Sequence, residues 1–493
     1  MNLKKLFSRT PGLKWKGSKE AEISGVCNDS KRVAPGNLFI AKKGRCVDAT
    51  RFVSEAVSNG AVAVLTDFYD PFLDKKIVQI IHPDPAHIEA EISARYYSYP
   101  SQELFLIGIT GTSGKTTTTY LIRHLLQNLG TCCGMIGTVE VMTHQNSYPS
   151  SMTTYDAMTN QKFLREMVLA GCKACAMEVS SHGLDQGRTD CIDFDIALFT
   201  NLTHEHLDYH KDIAHYLSSK RKLFSTLLSE KNGKKCWAIL NADSSVSEKI
   251  ASETRGSVFF YGMEKKADLR ASDIETGVAG TKATLTWKNE KEVFSIPLIG
   301  TYNLSNLLAA VSVGLVRGST LCEMKNAFVH FPQVPGRLER VDQKNPFSVF
   351  VDYAHKVDAL SQVLQVLRKL CKKRILTLFG CGGNRDREKR PLMAKVAEEF
   401  SDFVVVTSDN PRSEEPQKIA DEILAGFASN RYLVELDRRK AIEKIVRMAQ
   451  KDDLILIAGK GHETYQIFSH KRCEFDDRKV AKEMCDALYA ETT

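Results

Sequence analysis

At 493 residues the chain is too long for one compact core, and 43% hydrophobic with 26% charged residues is the balance of an ordinary multidomain globular protein. The net charge of +7 is spread without basic blocks, which argues against a nucleic-acid partner or a membrane surface and suits small anionic ligands. Residues 1–9 carry charge but no apolar core, so no signal peptide is expected there.

In chain order, residues 1 to about 100 hold short apolar runs at 38–41 and 61–66 and a helical pattern at 85–97. From 101 to 335 an apolar strand, a Gly-rich turn and a helix repeat loosely. Residues 103–110 read as a buried strand, and 115–129 as a helix with Leu121, Leu125 and Leu129 on one face and Gly130 at its end. Between them lies Gly111-Thr112-Ser113-Gly114-Lys115-Thr116-Thr117, a phosphate-binding loop. Its glycines admit phosphate oxygens to backbone N–H groups, Lys115 neutralises β/γ charge, and Thr116 can hold Mg²⁺. Ile109 stands where the strict pattern has glycine; glycines at 108 and 111 make this a variant loop for ATP.

The run 174–179 reads as the next strand and ends near Glu178, placed either to meet a phosphate-bound Mg²⁺ or to face solvent. Cys172 and Cys175, three residues apart beside that strand, face opposite sides and make no chelate. The thirteen scattered cysteines read as buried free thiols of a reducing cytoplasm. A third strand, 195–200, leads into Asn201–His210, whose spacing is not that of a zinc site. Residues 293–316 lack charge, but Pro297, Gly300, Asn303 and Asn306 break them into strand, loop and helix rather than a membrane span.

From 336 onward, four β-like runs (349–351, 375–379, 403–406 and 454–458) alternate with helical patterns such as 358–370 and 391–400. Alternation of this kind argues for an α/β domain with a mainly parallel sheet. Each run feeds a polar loop: Asp352–His355, Gly380–Asp386, Asp409–Arg412 and Gly459–Glu463. Ligands of open parallel sheets bind at the carboxyl ends of strands, so the four loops are expected to share one crevice.

Together these segments resemble the Mur ligase family, ATP-dependent amino-acid ligases of peptidoglycan synthesis in the cell wall. The motifs are Gly111–Thr117, Glu178-Val-Ser-Ser, His206-Leu-Asp-Tyr-His, Tyr216-Leu-Ser-Ser-Lys220, Gly300-Thr-Tyr-Asn303-Leu-Ser-Asn306, Gly336-Arg337 and Asp352-Tyr-Ala-His355. The resemblance implies an α/β chain of three domains: a UDP-binding domain (1–100), a central P-loop ATPase with a mainly parallel sheet (101–335) and a Rossmann-like amino-acid domain (336–493). It implies an acyl phosphate made from ATP and opened by an amine. Thr116 and Glu178 would hold one Mg²⁺, with His206 helping to hold a second, and Lys220 matches a lysine that the family carbamylates. Read alone, Lys220 is an ordinary surface-helix lysine. Asn303 and Asn306 resemble adenine-side contacts, though alone they read as a helix cap and first turn. Arg337 and Asp352 resemble phosphate and ribose contacts, and His355 a residue near the reaction centre. Ser30 resembles the uridine site; Thr153, Thr154, Ser180 and Arg188 resemble contacts to a UDP-muramoyl peptide.

The last three loops carry a narrower likeness, to the branch that adds the third residue of the stem peptide, meso-diaminopimelate or L-lysine. Diaminopimelate has one more carboxylate, which needs a cation: Arg412 can clamp it bidentately, with Arg385 on the next loop. Glu463 with Asp409 and Asn410 can receive the ammonium, and the resemblance implies that Pro411 and Gly459 also belong to the diaminopimelate site. Diaminopimelate is therefore the favoured reading, L-lysine the alternative. Folylpolyglutamate synthase shares the ATPase core and is the other enzyme considered, and a nucleotide-regulated binding protein without turnover is the non-enzyme reading. A monomer is expected.

Overall fold

The computed structural model describes residues 1–44, 47–203, 205, 209–231, 233, 235–264, 266–341, 344–469 and 471–492. They divide into two compact units, the first mainly Met1–Arg270 with Ser305–Met324, the second mainly Lys291–Leu304 with Lys325–Thr493. Three main sheets of five, eleven and six strands give the α/β, three-domain organisation that was expected. No described helix is long and apolar enough to cross a membrane.

The first unit opens with a five-stranded sheet. Its strands Gly25–Cys27, Asn37–Ile40, Ala63–Thr66 and Val78–Ile81 are parallel, with Lys14–Lys16 antiparallel at the edge. Helix Pro85–Tyr96 packs Ile88 and Ile92 against this sheet, and Asp84 caps its N-terminus by accepting from His87 N.

The parallel part of the central sheet runs Ser257–Gly262, Trp237–Asn241, Ile196–Phe199, Phe105–Thr110, Ala174–Glu178 and Cys133–Ile136. Phe105–Thr110 sits mid-sheet between strands that come later in the chain, so the order reverses there, where such sheets open a crevice. Glu178 pairs with Ile109 across the parallel ladder, which puts the carboxylate at the strand edge that carries the phosphate loop. Sequence reading placed Gly108 in that loop. The structure places it inside the strand, where an added Cβ would stand 2.8 Å from the Phe194 ring. Gly108 is thus a packing residue, and Ile109 is a fully buried strand residue that the loop does not need as glycine.

In the second unit, the parallel strands lie in the order Ser348–Asp352, Leu454–Ala458, Ile375–Phe379, Phe403–Val406 and Tyr432–Val434, with Glu339–Arg340 antiparallel at one edge. All four strands read from the sequence are adjacent. Strands buried on both faces need helices on each side. Helix Val357–Leu370 supplies Leu360, Val363, Leu364 and Leu367 to one face, and helix Arg438–Met448 supplies Ile442 and Ile445 to the other.

Candidate active site

The phosphate loop owes its shape to two glycines. Gly111 and Gly114 adopt φ of 148° and 85°, backbone that L side chains rarely take, and a Cβ at either would collide with Thr200 or Asn306. Asn201 clasps the loop from the next strand end: its carbonyl accepts Thr112 N at 2.9 Å and its Oδ1 accepts Ser113 N at 2.9 Å. Helix Lys115–Asn128 then starts with Thr116 and Thr117 in its first turn, their side chains buried at the loop edge. Such a helix N-terminus, with its exposed N–H groups and positive dipole, suits a phosphate chain.

Three charged groups converge on this loop. Lys115 Nζ donates to Gly111 O at 2.9 Å and to Thr112 O at 2.8 Å. Lys220 Nζ donates to the same Gly111 O at 2.9 Å and lies 4.3 Å from the centre of the Tyr216 ring. Glu178 accepts from Thr116 Oγ1 at 3.1 Å, from Thr138 N at 2.7 Å and from Thr138 Oγ1 at 3.0 Å. The reading of Lys220 as an ordinary surface lysine is overturned. The residue is 1% exposed, because Leu217 and Tyr216 of its helix face the core and carry it inward. Burial, reinforced by the neighbouring Lys115 charge, holds its ammonium well below the usual lysine range. Glu178 is equally buried and does not face solvent.

His206 lies outside the described residues. Among the described residues no cluster of three His, Cys, Asp or Glu side chains is arranged to hold a metal. A buried carboxylate bonded to a threonine hydroxyl at a phosphate loop is still the hard-oxygen donor set that suits Mg²⁺ shared with a nucleotide. Helix Thr301–Val316 contains both Asn303 and Asn306, neither of them as its cap. Asn303 Nδ2 donates to Ile299 O at 2.8 Å, and Asn306 Oδ1 accepts Thr118 Oγ1 at 3.3 Å.

Also in the first unit, a cleft of about 470 Å³ is lined by Lys42, His87, Glu89, Asp156, Asp185 and Arg188, among others. Arg188 belongs here, its Nη1 donating to Thr154 O at 2.9 Å. Thr154 instead serves the scaffold: its hydroxyl donates to Glu178 O and accepts Ser180 N, both at 3.0 Å. Ser180 caps a short helix by accepting Gly183 N, and Thr153 bonds Thr138 through its hydroxyl. Ser30 is apart from this cleft, its hydroxyl donating to Glu55 at 2.6 Å.

In the second unit the four loops leave one edge of adjacent parallel strands, and hydrogen bonds tie three of them together. Asn410 Nδ2 donates to Glu463 Oε2 at 2.9 Å, joining the loop after Phe403–Val406 to the one after Leu454–Ala458. Arg412 adopts φ of 56° and its Nη1 donates to Gly383 O at 2.8 Å, reaching the loop after Ile375–Phe379. Asp409 Oδ1 accepts Asn410 N, and a Cβ on Gly459 would stand 2.9 Å from Asp409 Oδ2, so glycine there lets the two loops close up. A Cβ on Gly383 would collide with Pro411 O. Arg385 is exposed, bonded only to Asn384 O among the described residues. The neighbouring Arg390 is buried between Glu414 and Glu422 at 2.9 and 2.7 Å.

At the first strand end Asp352 accepts Leu338 N at 2.6 Å and Ala354 N at 2.8 Å. Burial pushes its carboxyl up to about 6, against the nearby Arg337 charge. Arg337 stacks over the Tyr353 ring at 4.9 Å. Burial drives His355 down to about 4, so it is a neutral imidazole near pH 7, with Nδ1 2.8 Å from Tyr353 O.

Sequence reading missed three residues that hold these sites together. Thr138 grips both oxygens of Glu178. Lys460, fully buried, sits between two glycines of a strand-end loop, a position that could have flagged it. Arg438 pairs with Asp477 at 2.7 Å inside the core and donates to Ser408 O and Ala458 O, the carbonyls just before Asp409 and Gly459. Nothing in its local sequence signals that role. The described cysteines are free thiols, as expected, but Cys322 is exposed, and Cys132 Sγ lies 3.7 Å from Cys172 Sγ.

The chain matches the Mur ligase middle domain over residues 109–314 and the Mur ligase glutamate ligase domain over 336–461. It is 42% identical to UDP-N-acetylmuramoyl-L-alanyl-D-glutamate--2,6-diaminopimelate ligase of Chlamydia pneumoniae, covering 99% of each chain. A solved structure carrying the same enzyme name is 30% identical, with a TM-score of 0.70 and 99% of each chain covered. A MurF ligase from Thermotoga maritima solved in complex with ADP shares the fold at 17% identity, with a TM-score of 0.66 over 96% of this chain and 99% of that one. The phosphate loop, its buried acid and lysine, and the crevice of strand-end loops are therefore those of a chain that belongs to the Mur ligase family of ATP-dependent ligases.

Proposed function

We propose that this ligase joins meso-2,6-diaminopimelate to UDP-N-acetylmuramoyl-L-alanyl-D-glutamate in peptidoglycan synthesis. The observation that carries the choice of amino acid is the crevice of the second unit. Among the described residues, Arg412 spends only Nη1 on the fold, which leaves Nε and Nη2 for the extra carboxylate of diaminopimelate. Asp409, Asn410 and Glu463 supply oxygens for the adjacent ammonium, and Arg385 stands at the rim.

A carboxylate oxygen of the UDP-linked dipeptide attacks the γ-phosphorus of ATP and ADP leaves. The diaminopimelate amine then attacks the acyl carbon, loses a proton, and phosphate departs. Lys115 and the N–H groups of Gly111–Thr117 neutralise and orient the phosphates, and most of the rate enhancement comes from such positioning. Thr116 and Glu178 would hold Mg²⁺, with His206 assigned to a second ion; the metal supplies charge neutralisation on the phosphate oxygens. Asn303, Asn306, Arg337 and Asp352 are assigned to the nucleotide, and Arg188 with Ser30, Thr153 and Ser180 to the UDP-muramoyl peptide, with Thr154 holding Ser180 from within the scaffold. His355, neutral at pH 7, is assigned to the reaction centre. Release of ADP and phosphate tests the whole scheme: all three substrates should be needed, and release without the dipeptide or the amino acid counts against it.

Lys220 is assigned as a carbamate. Burial beside Lys115 favours its neutral amine, the form that adds to CO₂, and the product is an anion facing a positive loop. Lys220→Ala should lose most activity and regain part of it with small carboxylic acids such as formate or acetate. No recovery with any of them removes the carbamate from the scheme.

A further inference from the structure

We propose that Lys460 is a positioning residue that sets Glu463 for the ammonium of the incoming amino acid, an inference that rests on the amino-acid site assigned above. Lys460 is fully buried, and its Nζ donates to Glu463 Oε2 at 3.0 Å and to Asn410 Oδ1 at 3.3 Å. Asn410 Nδ2 donates to the same Glu463 Oε2 at 2.9 Å. Asn410 cannot turn over to trade its oxygen for its nitrogen. Its Oδ1 also accepts Ile467 N at 3.1 Å, so its two ends are fixed by donors on one side and a carboxylate on the other.

The result is asymmetric. Both donors converge on Oε2, and among the described residues no hydrogen bond goes to Oε1. A carboxylate whose one oxygen is held twice presents the other in a fixed direction, and Glu463 keeps 17% of its side-chain surface exposed while Lys460 keeps none. Lys460 holds Oε2 without covering Oε1. The strand Tyr465–Phe468 closes the arrangement from behind, since Gln466 Nε2 donates to Asp409 O at 2.9 Å and Ile467 O accepts Arg412 N at 2.9 Å. Lys460 itself touches no substrate. It acts through Glu463 by fixing which oxygen faces the crevice.

Replacing a buried cation leaves its carboxylate partner without that donor and free to turn. Lys460→Met keeps the length of the side chain and removes the charge. In steady-state assays with the full chain, ATP and the UDP-linked dipeptide, KM for diaminopimelate should rise about 10- to 100-fold, the range expected for one charged hydrogen bond. KM for ATP and for the dipeptide should stay within about threefold, and kcat should fall less than KM rises. Lys460 and Glu463 should also be coupled: Lys460→Met added to Glu463→Gln should cost little beyond Glu463→Gln alone. If Lys460→Met does not fold, Lys460→Gln, which retains a neutral donor, carries the same test with a smaller rise.

Three results overturn the proposal: an unchanged KM for diaminopimelate while Glu463→Gln raises it, equal rises for all three substrates, or additive effects in the double variant. If Glu463→Gln itself leaves KM for diaminopimelate unchanged, the amino-acid site is misassigned, which is a separate failure.

Discussion

Lys115→Ala should lower kcat by about a thousandfold or more, the scale seen when a single preorganised donor or cation is removed from a charge-developing site. Its contacts include hydrogen bonds to the carbonyls of Gly111 and Thr112, both in a loop that Asn201 clasps. A Tm within a few degrees of the parent shows that the loss of rate is not a loss of fold. The experiment pairs ADP release with a thermal melt. A folded variant within about tenfold of the parent rate would falsify the assignment of Lys115 to phosphoryl transfer.

Arg412→Ala is the second large effect, and it falls on a different substrate. KM for diaminopimelate should rise about 100-fold or more, since a buried carboxylate would lose both arms of a bidentate partner. KM for ATP should hardly move. Arg412→Lys should recover little, because an ammonium cannot present two parallel donors. The φ of 56° at this residue adds a control: Arg412→Gly relieves the backbone while deleting the side chain, so it should be more stable than the alanine form and equally poor in binding. Parallel increases in KM for ATP and diaminopimelate would show a collapsed loop rather than a missing clamp.

Much of this site is legible in the sequence because its parts are local. The run 103–110, the glycines at 111 and 114 and the helix from Lys115 form a strand–turn–helix whose pattern fixes the loop. The four apolar runs of the second unit each ended in a polar loop, and parallel pairing put those loops on one edge. What could not be read locally depends on long-range packing. Lys220 looks like a surface lysine because its helix, Ile213–Lys222, is polar in sequence, and only the fold turns Tyr216, Leu217 and Lys220 inward together. Gly108 looks like a loop glycine until Phe194 and Leu223 are seen against it. Thr154 resembles a ligand contact, yet its hydroxyl is bonded on both sides within the scaffold. The Arg438–Asp477 pair spans 39 residues and joins elements with no shared local motif. Residues at 204 and 206–208, which include His206, lie outside the described structure, so the second metal position rests on the family motif alone.

The most direct test is a competition between diaminopimelate and L-lysine, with UDP-N-acetylmuramoyl-L-alanyl-D-glutamate and ATP, read by the mass of the UDP-linked product. The extra carboxylate and its arginine fork predict a diaminopimelate product, with kcat/KM for L-lysine lower by about a hundredfold or more. An L-lysine product formed equally well, or ATP cleavage that yields no UDP-linked tripeptide, would contradict the account.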